Sequence, residues 1–221
     1  DLPLPPAEIE AAEIELIRRN ELKEGALYMQ VTRGAADRDF AFPKDARPTL
    51  VMFTQAKNLL NNPAVETGIT VISMPDIRWR RRDIKTVQLL YPSMGKMMAK
   101  KAGCDDAWLI EDGYVTEGTS NNAYFVKNGK IVTRPLSTDI LHGITRAAVL
   151  RLAEEAQMEI EERLFTIDEA KEADEAFTTS ASAFVMPVVE IDGVTLGDGT
   201  PGPVAKRLRE IYLDESRKKA I

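Results

Sequence analysis

The sequence has little of what disulfide, zinc and catalytic-triad sites require. Among its 221 residues, Cys104 is the only cysteine and His142 the only histidine. A single cysteine excludes an intramolecular disulfide and a cysteine-based zinc cluster, so the sequence predicts no metal site and a reducing, cytoplasmic compartment. A single histidine removes most Ser/His/Asp arrangements unless His142 is the base, and its position favours a surface or loop residue.

Long apolar runs and an excess of positive charge are also missing. No apolar run reaches the roughly 18 residues that a membrane-spanning helix needs, so no membrane partner is expected. The net charge is −6 and the isoelectric point about 5.1, which argues against a nucleic-acid partner. The sequence begins Asp1-Leu2-Pro3, without an initiator Met or a signal-peptide pattern, and this favours a piece of a longer protein.

The hydrophobic pattern predicts a mixture of helices and short strands. Helices are predicted over 6–24, 84–102, 144–157, 167–172 and 202–219. Strands are predicted over 26–32, 49–54, 69–73, 107–111, 123–127, 131–133, 159–164, 175–179 and 188–191. Several turns are hairpin turns, Asn128-Gly129 being the strongest, and no clean βαβ alternation is present. The fold class is therefore expected to be α+β rather than a doubly wound parallel sheet.

A domain boundary is predicted near residue 60. Residues 55–67 lose the periodicity and are punctuated by Asn, Pro and Gly, as is typical of a linker. Two domains, 1–60 and 61–221, follow from this boundary.

Four segments have residues suited to chemistry, and the first contains Lys85. A basic stretch, DIRWRRRDIK, leads into an apolar, Met-rich segment. A lysine that lies beside other cations and is partly desolvated by Ile84, Val87, Leu89 and Leu90 has the neutral amine that Schiff-base chemistry needs. A solvated charged loop is the alternative interpretation of the stretch.

The other three segments are polar and less specific. Glu117 precedes Gly118 in VTEGTSNN, a loop whose backbone can approach a ligand, or an ordinary polar turn. Ile144 follows Gly143 at a predicted helix start that could bind phosphate, or simply be a capped helix. Ser180 and Ala181 lie in TTSASA at a predicted strand end, which could donate hydrogen bonds to an anion or have no such role.

Taken together, these segments resemble the fold-type IV pyridoxal-phosphate enzymes. The order of lysine, VTEG, GIT helix start and TSAS is specific as a set, and the resemblance covers essentially the whole chain. Within that group, QVTRGAADRDFAFP and DIRWRRRDIKTVQLL resemble the D-amino acid transaminases most. The resemblance implies a two-domain enzyme with an N-terminally incomplete small domain in 1–60 and a larger pyridoxal-phosphate domain in 61–221.

The resemblance also implies a role for each candidate residue that lies beyond position 60. Lys85 would form the Schiff base with the cofactor and move protons between the substrate and the cofactor. Glu117 would face the pyridine nitrogen and keep it protonated, and Leu141 would pack against the ring. The phosphate would be held by the start of a helix and by the TSAS segment, through Ile144, Thr145, Ser180 and Ala181.

Arg38 resembles the arginine that traps the substrate carboxylate across the dimer interface in D-amino acid transaminases. A guanidinium binds a carboxylate bidentately, which suits that role. Phe40 stands where the family often has histidine, so the trap is expected to be less polar. The implied enzyme is a homodimeric aminotransferase that uses a D-amino acid such as D-alanine and a 2-oxo acid such as 2-oxoglutarate. A branched-chain or (R)-amine transaminase is the alternative, and a lyase acting on aminodeoxychorismate or an inactive binding protein is a more distant one.

Overall fold

The computed structural model describes residues 2–220, and these divide at Asn61 into two compact units, each with its own elements. The first unit comprises residues 1–61 and the second residues 62–221. Helices and strands are mixed in both, and the second unit contains a sheet of mixed direction, so the α+β prediction is confirmed.

The first unit consists of a helix and a two-stranded antiparallel sheet. Its elements are α1 (Pro6–Arg19), β1 (Gly25–Thr32) and β2 (Thr49–Ala56). Helix α1 begins at Pro6, where a missing N–H costs no hydrogen bond, and ends five residues before the predicted stop, so that 20–24 form a turn into β1. A loop of residues 33–48 connects the two strands.

The second unit is a nine-stranded sheet with five helices. Its helices are α2 (Ala64–Thr67), α3 (Leu90–Lys101), α4 (Ile144–Glu155), α5 (Ile167–Lys171) and α6 (Pro203–Lys218). Its strands are β3 (Ile69–Pro75), β4 (Asp106–Glu111), β5 (Tyr114–Gly118), β6 (Asn122–Lys127), β7 (Lys130–Thr133), β8 (Ile160–Glu162), β9 (Glu175–Ser180), β10 (Phe184–Ile191) and β11 (Val194–Thr195). The strand order is β5-β4-β3-β10-β9-β6-β7-β8, with β11 paired to β10.

Two predicted boundaries in this unit are wrong in ways that matter for the site. The helix predicted from 84 begins only at Leu90, because the preceding segment is tied down by its arginines, as described below. The VTEG segment is not a loop: Tyr114–Gly118 pairs with β4 as a strand, with Gly118 opposite Trp108. The Asn128-Gly129 hairpin is confirmed, with both residues at positive φ (52° and 76°) as such a turn requires.

The core lies on both faces of this sheet, because successive side chains of a strand point to opposite faces. On one face Phe125 packs edge-on against Phe165, with Trp108 nearby. On the other face Tyr124 stacks on Phe177, with ring centroids 4.6 Å apart. This sheet, buried on both faces, fixes the ends of β5, β6 and β9 relative to one another.

None of the helices among residues 2–220 is both long and apolar enough to cross a bilayer.

Candidate functional site

Glu117, near the end of β5, is the most tightly held of the candidate side chains. It is 4% exposed, and three donors bond its carboxylate. Arg78 Nη1 donates to Oε1 at 2.9 Å, while Asn122 Nδ2 and the Leu141 backbone N–H donate to Oε2 at 3.1 and 2.9 Å. Burial raises the pKa of Glu117, and the positive charge of Arg78 and the Leu141 amide oppose that rise.

Arg78 is itself fixed by a second carboxylate. Its Nε and Nη2 donate to Asp76 Oδ1 and Oδ2 at 2.9 and 2.7 Å, in the bidentate geometry that a guanidinium favours. The Thr116 hydroxyl donates to Asp76 Oδ2 at 2.7 Å. Burial opposes the ionisation of Asp76, but its bonds to Arg78 and Thr116 and the charge of Arg82 outweigh burial and lower its pKa.

Asn122, the first residue of β6, joins Glu117 to the Leu141 segment. Its Nδ2 also donates to the Leu141 carbonyl at 2.9 Å. A Cβ at Gly143 would lie 2.4 Å from Asn122 Oδ1, so only glycine permits this close approach. The carboxylate, Leu141 and the beginning of α4 are therefore held together by one amide side chain.

The beginning of α4 has the character of an anion site. Gly143 is its N-cap residue and supplies no side-chain cap, so the first backbone N–H groups lack the usual partner. Thr145 is 3% exposed, and its Oγ1 is buried without a hydrogen-bond partner among residues 2–220. Ile144 is 79% exposed, so only its backbone is suited to contact an anion here.

Ser180 and Ala181 lie at the same end of the sheet, because Asn122 of β6 pairs with Thr179 of β9. The Ala183 N–H donates to Ser180 Oγ at 3.1 Å, which closes a tight turn before β10. Phe184, the next residue, has a φ of 61°, which is unusual for a bulky side chain. The chain segments that carry Glu117, Leu141, Thr145 and Ser180 therefore lie next to one another.

Lys85 lies in the segment 76–89 that connects β3 to α3. Arg82 anchors this segment: its Nη1 donates to Glu111 Oε2 at 2.7 Å, and its backbone N–H to the Thr138 carbonyl at 2.9 Å. Lys85 itself is exposed and makes no hydrogen bond or ion pair with any residue that the structure describes. The expected enclosure of Lys85 by its apolar neighbours is wrong, because Ile84 and Val87 are 42% and 65% exposed.

Arg38 and Phe40 lie in the first unit, in the loop between β1 and β2. The Arg38 guanidinium stands 5.0 Å from the centroid of the Phe40 ring, and Phe40 is 90% exposed. Arg33 stacks in the same way over Phe42, at 3.8 Å. The loop thus presents two arginine–aromatic pairs at its surface.

The sequence did not single out Arg78, Asp76 or Asn122, although all three organise the site. Arg78 was hidden among four arginines of one basic stretch, and Asn122 among the polar residues of a presumed turn. His142 is exposed, with Nε2 3.0 Å from the Ser137 carbonyl, as expected for a loop histidine. Within residues 2–220, no group of three or more His, Cys, Asp or Glu side chains is arranged to hold a metal ion.

Comparison with known proteins gives a consistent result. The profile of the family described as amino-transferase class IV matches residues 1–191. A D-alanine aminotransferase of Bacillus licheniformis is 43% identical, over 99% of this chain and 78% of that protein. A D-alanine aminotransferase of Staphylococcus aureus is 38% identical, over 89% of this chain and 70% of that protein.

Solved structures agree with the sequence relatives on the fold. A T.th. branched-chain amino acid aminotransferase with pyridoxamine 5'-phosphate superposes with a TM-score of 0.85. It is 32% identical, and the match covers 100% of this chain and 74% of that one. The predicted fold type IV is thereby confirmed.

Proposed function

Since this chain belongs to the class IV aminotransferases and is a pyridoxal-phosphate-dependent enzyme, we propose that it transfers the amino group of D-alanine, or a similar D-amino acid, to a 2-oxo acid such as 2-oxoglutarate. The observation that carries this proposal is the cluster of Glu117, Leu141 and Thr145, in a chain similar to D-alanine aminotransferases. We further propose a cytoplasmic enzyme, supported by its single cysteine.

The described residues fit the cofactor at two places. The partnerless buried hydroxyl of Thr145 and the uncapped N-terminus of α4 suit a phosphate, which accepts hydrogen bonds from both. A carboxylate has about four acceptor positions, of which three are taken on Glu117, so one remains for a protonated ring nitrogen. Bound pyridoxal phosphate supplies an electrophilic carbonyl carbon and a ring that accepts the electrons of the substrate carbon.

In this proposal residues 62–221 bind the cofactor. Glu117 holds the ring nitrogen protonated, Leu141 packs against the ring, and the α4 start with Thr145 binds the phosphate. The backbone of Ile144, and Ser180 with Ala181 at the turn before β10, add phosphate donors. The turn geometry supports the last assignment, since Ser180 Oγ keeps its own hydrogen free to donate.

Lys85 is proposed as the residue that bonds the cofactor and moves the proton. Its amine would hold the cofactor through the carbonyl carbon, which is the electrophile that the cofactor would supply. When the substrate amine holds that carbon instead, the Lys85 amine would be the base that accepts the proton of the substrate Cα and the acid that donates it to the cofactor C4′. Lys85 is exposed and forms no ion pair with residues 2–220, and both features support this role, because a nucleophile must be accessible.

The substrate carboxylate is proposed to bind Arg38 from a second copy of the chain. Residues 1–61 then act as the part of the small domain that carries the carboxylate-binding loop, and the active enzyme is a homodimer. The exposure of the loop and of Phe40 supports this assignment. Since Phe40 is apolar, a branched-chain or (R)-amine substrate is the second candidate, in line with the branched-chain structural relative.

The test is direct. The protein, loaded with pyridoxal phosphate, is incubated with 2-oxoglutarate and either D-alanine or L-alanine, and the pyruvate formed is measured. Pyruvate from D-alanine alone supports the proposal. Turnover of L-leucine or of (R)-amines in preference to D-alanine would favour the second candidate, and no turnover of any of them would contradict both.

A further inference from the structure

A buried line of alternating charges leads away from Glu117. Glu117 contacts Arg78, Arg78 contacts Asp76, and Asp76 lies 3.4 Å from Arg82, which in turn binds Glu111. The side chains of Arg78 and Asp76 are 14% and 0% exposed. Interactions between charges in such surroundings are much less screened than at the surface.

Arg78 is the only fully charged group that bonds Glu117 among residues 2–220. The other two donors are a neutral amide and a backbone N–H, which stabilise a carboxylate less than a guanidinium does. Burial raises the pKa of Glu117, so without Arg78 the carboxyl group would more readily keep its proton. A protonated Glu117 could no longer serve as the ionic partner of a protonated ring nitrogen.

Asp76 determines where the Arg78 guanidinium points. Two of the guanidinium nitrogens bond Asp76, which leaves Nη1 directed at Glu117 Oε1. The Asp76 carboxylate is held in turn by the Thr116 hydroxyl, on the strand that carries Glu117. The arginine is therefore fixed from one side before any ligand binds.

We propose that Arg78 is a positioning residue for the reaction, which acts through Glu117 to keep the carboxylate ionised and the proton on the ring nitrogen of the cofactor. Asp76 orients Arg78 for this task. The inference rests on the proposed placement of Glu117 beside the ring nitrogen. Among the arginines of the basic stretch, Arg78 thus takes part in the chemistry. Arg81, which pairs with Asp83 at the surface, does not.

The experiment compares two cofactors that differ only at the ring nitrogen. Pyridoxal phosphate and its 1-deaza analogue, which has a C–H in place of that nitrogen, are titrated into the cofactor-free protein, and the two dissociation constants are measured. The parent should bind pyridoxal phosphate more tightly than the analogue. In Arg78→Met this preference should shrink by about 10- to 100-fold, the effect of losing one charge-assisted hydrogen bond.

Two further variants separate this role from a structural one. Arg78→Lys keeps the charge without the fork and should retain part of the preference, while Arg81→Met should leave the preference unchanged. Asp76 keeps Arg82 as a partner in these variants, which favours folding. If Arg78→Met does not fold, the smaller loss in Arg78→Lys decides the question.

The outcomes are distinguishable. If the parent binds neither compound, the proposed function fails. If the parent binds both equally well, the placement of Glu117 fails, and the inference with it. If the parent prefers pyridoxal phosphate and the Arg78 variants keep the full preference or lose affinity for both compounds equally, only the role of Arg78 is overturned.

Discussion

The carboxylate and the lysine proposed for the same reaction lie in opposite kinds of surroundings. Glu117 is 4% exposed and bonded by three donors, whereas Lys85 is exposed in a segment whose Val87 and Leu89 are 65% and 61% exposed. A buried charge without partners would destabilise the fold, so the chain must provide for Glu117 itself. The Lys85 amine, which is proposed to form and break a bond, must instead be accessible to its reaction partner. The apolar side chains around Lys85 are exposed, so another protein surface can pack against them.

That difference indicates which parts of the site one chain completes. The Glu117 carboxylate with its donors, and the helix start proposed to bind phosphate, consist of residues of the second unit. The segment around Lys85 is anchored at Arg78 and Arg82 but is not covered, and we expect a second copy to cover it. The following predictions test this contrast, beginning with the largest effect.

Lys85→Ala should abolish activity, with turnover reduced by more than about a thousandfold, because the residue is both nucleophile and proton carrier. The visible absorbance of the loaded enzyme should disappear as well. Lys101→Ala, at the exposed end of α3, is the matched control and should keep both signals. Retention of both by Lys85→Ala would place the nucleophile elsewhere and remove the contrast.

Glu117→Gln should leave the cofactor bound but lower turnover by about a hundredfold, because the ring nitrogen loses its preorganised ionic partner. Glu154→Gln, exposed on α4, is the control. Parental turnover in Glu117→Gln would contradict the assigned role.

The same substitution has a pH signature in the cofactor-free protein. The pKa of Glu117 is raised by burial in the folded protein, so the contribution of this one group to the stability of the parent falls as the pH rises above about 4.5. Glutamine does not titrate. The stability of Glu117→Gln relative to the parent, measured by urea unfolding, should therefore increase with pH, and a decrease would show that the carboxylate is stabilised rather than strained by its site.

Arg38→Ala should raise the KM for amino acids by about 10- to 100-fold, with little change in cofactor affinity, since a bidentate contact to the carboxylate is lost. Arg33→Ala, which removes the neighbouring pair with Phe42, should have a much smaller effect. An unchanged KM would mean that a different residue binds the carboxylate. Measured as a function of protein concentration, the activity also reports whether a second copy is needed.

Thr145→Val has the smallest expected effect and the clearest sign. The buried Oγ1 has no partner among residues 2–220, so its removal should leave the cofactor-free protein as stable as the parent or more so. Affinity for pyridoxal phosphate should fall by about 3- to 10-fold. Thr133→Val, by contrast, removes a bond of 2.9 Å to the Ala123 carbonyl and should destabilise the fold. Weaker folding in Thr145→Val would contradict a hydroxyl reserved for phosphate.

Much of the fold was predictable because its signals are local. Seven strands of the second unit are marked by short apolar runs, and the Asn128-Gly129 turn by residues that tolerate positive φ, whereas β5 and β11 carry no such signal and were not predicted. The irregular segment 84–89 was mistaken for helix because its conformation depends on ion pairs of Arg78 and Arg82 with carboxylates distant in sequence.

The residues of the candidate site also differ in whether their signal is local in the sequence or depends on tertiary packing. Lys85 and Glu117 are predicted from the sequence because a motif order marks them. Arg78 and Asn122 were missed because their importance lies in which of several similar residues reaches Glu117, and that is determined by tertiary packing. A basic stretch cannot reveal which arginine is buried.

The position of β10 in the large sheet has a consequence for synthesis. β10 follows β3 to β9 in the sequence, yet it lies between β3 and β9 in the sheet and pairs with both. As long as the ribosome has synthesised only residues up to β9, the edges of β3 and β9 that pair with β10 remain unpaired. Unpaired strand edges are prone to misassociation. The sheet of the second unit can therefore be completed only after residues 184–191 have been synthesised, and a chain truncated before residue 184 should need chaperone protection.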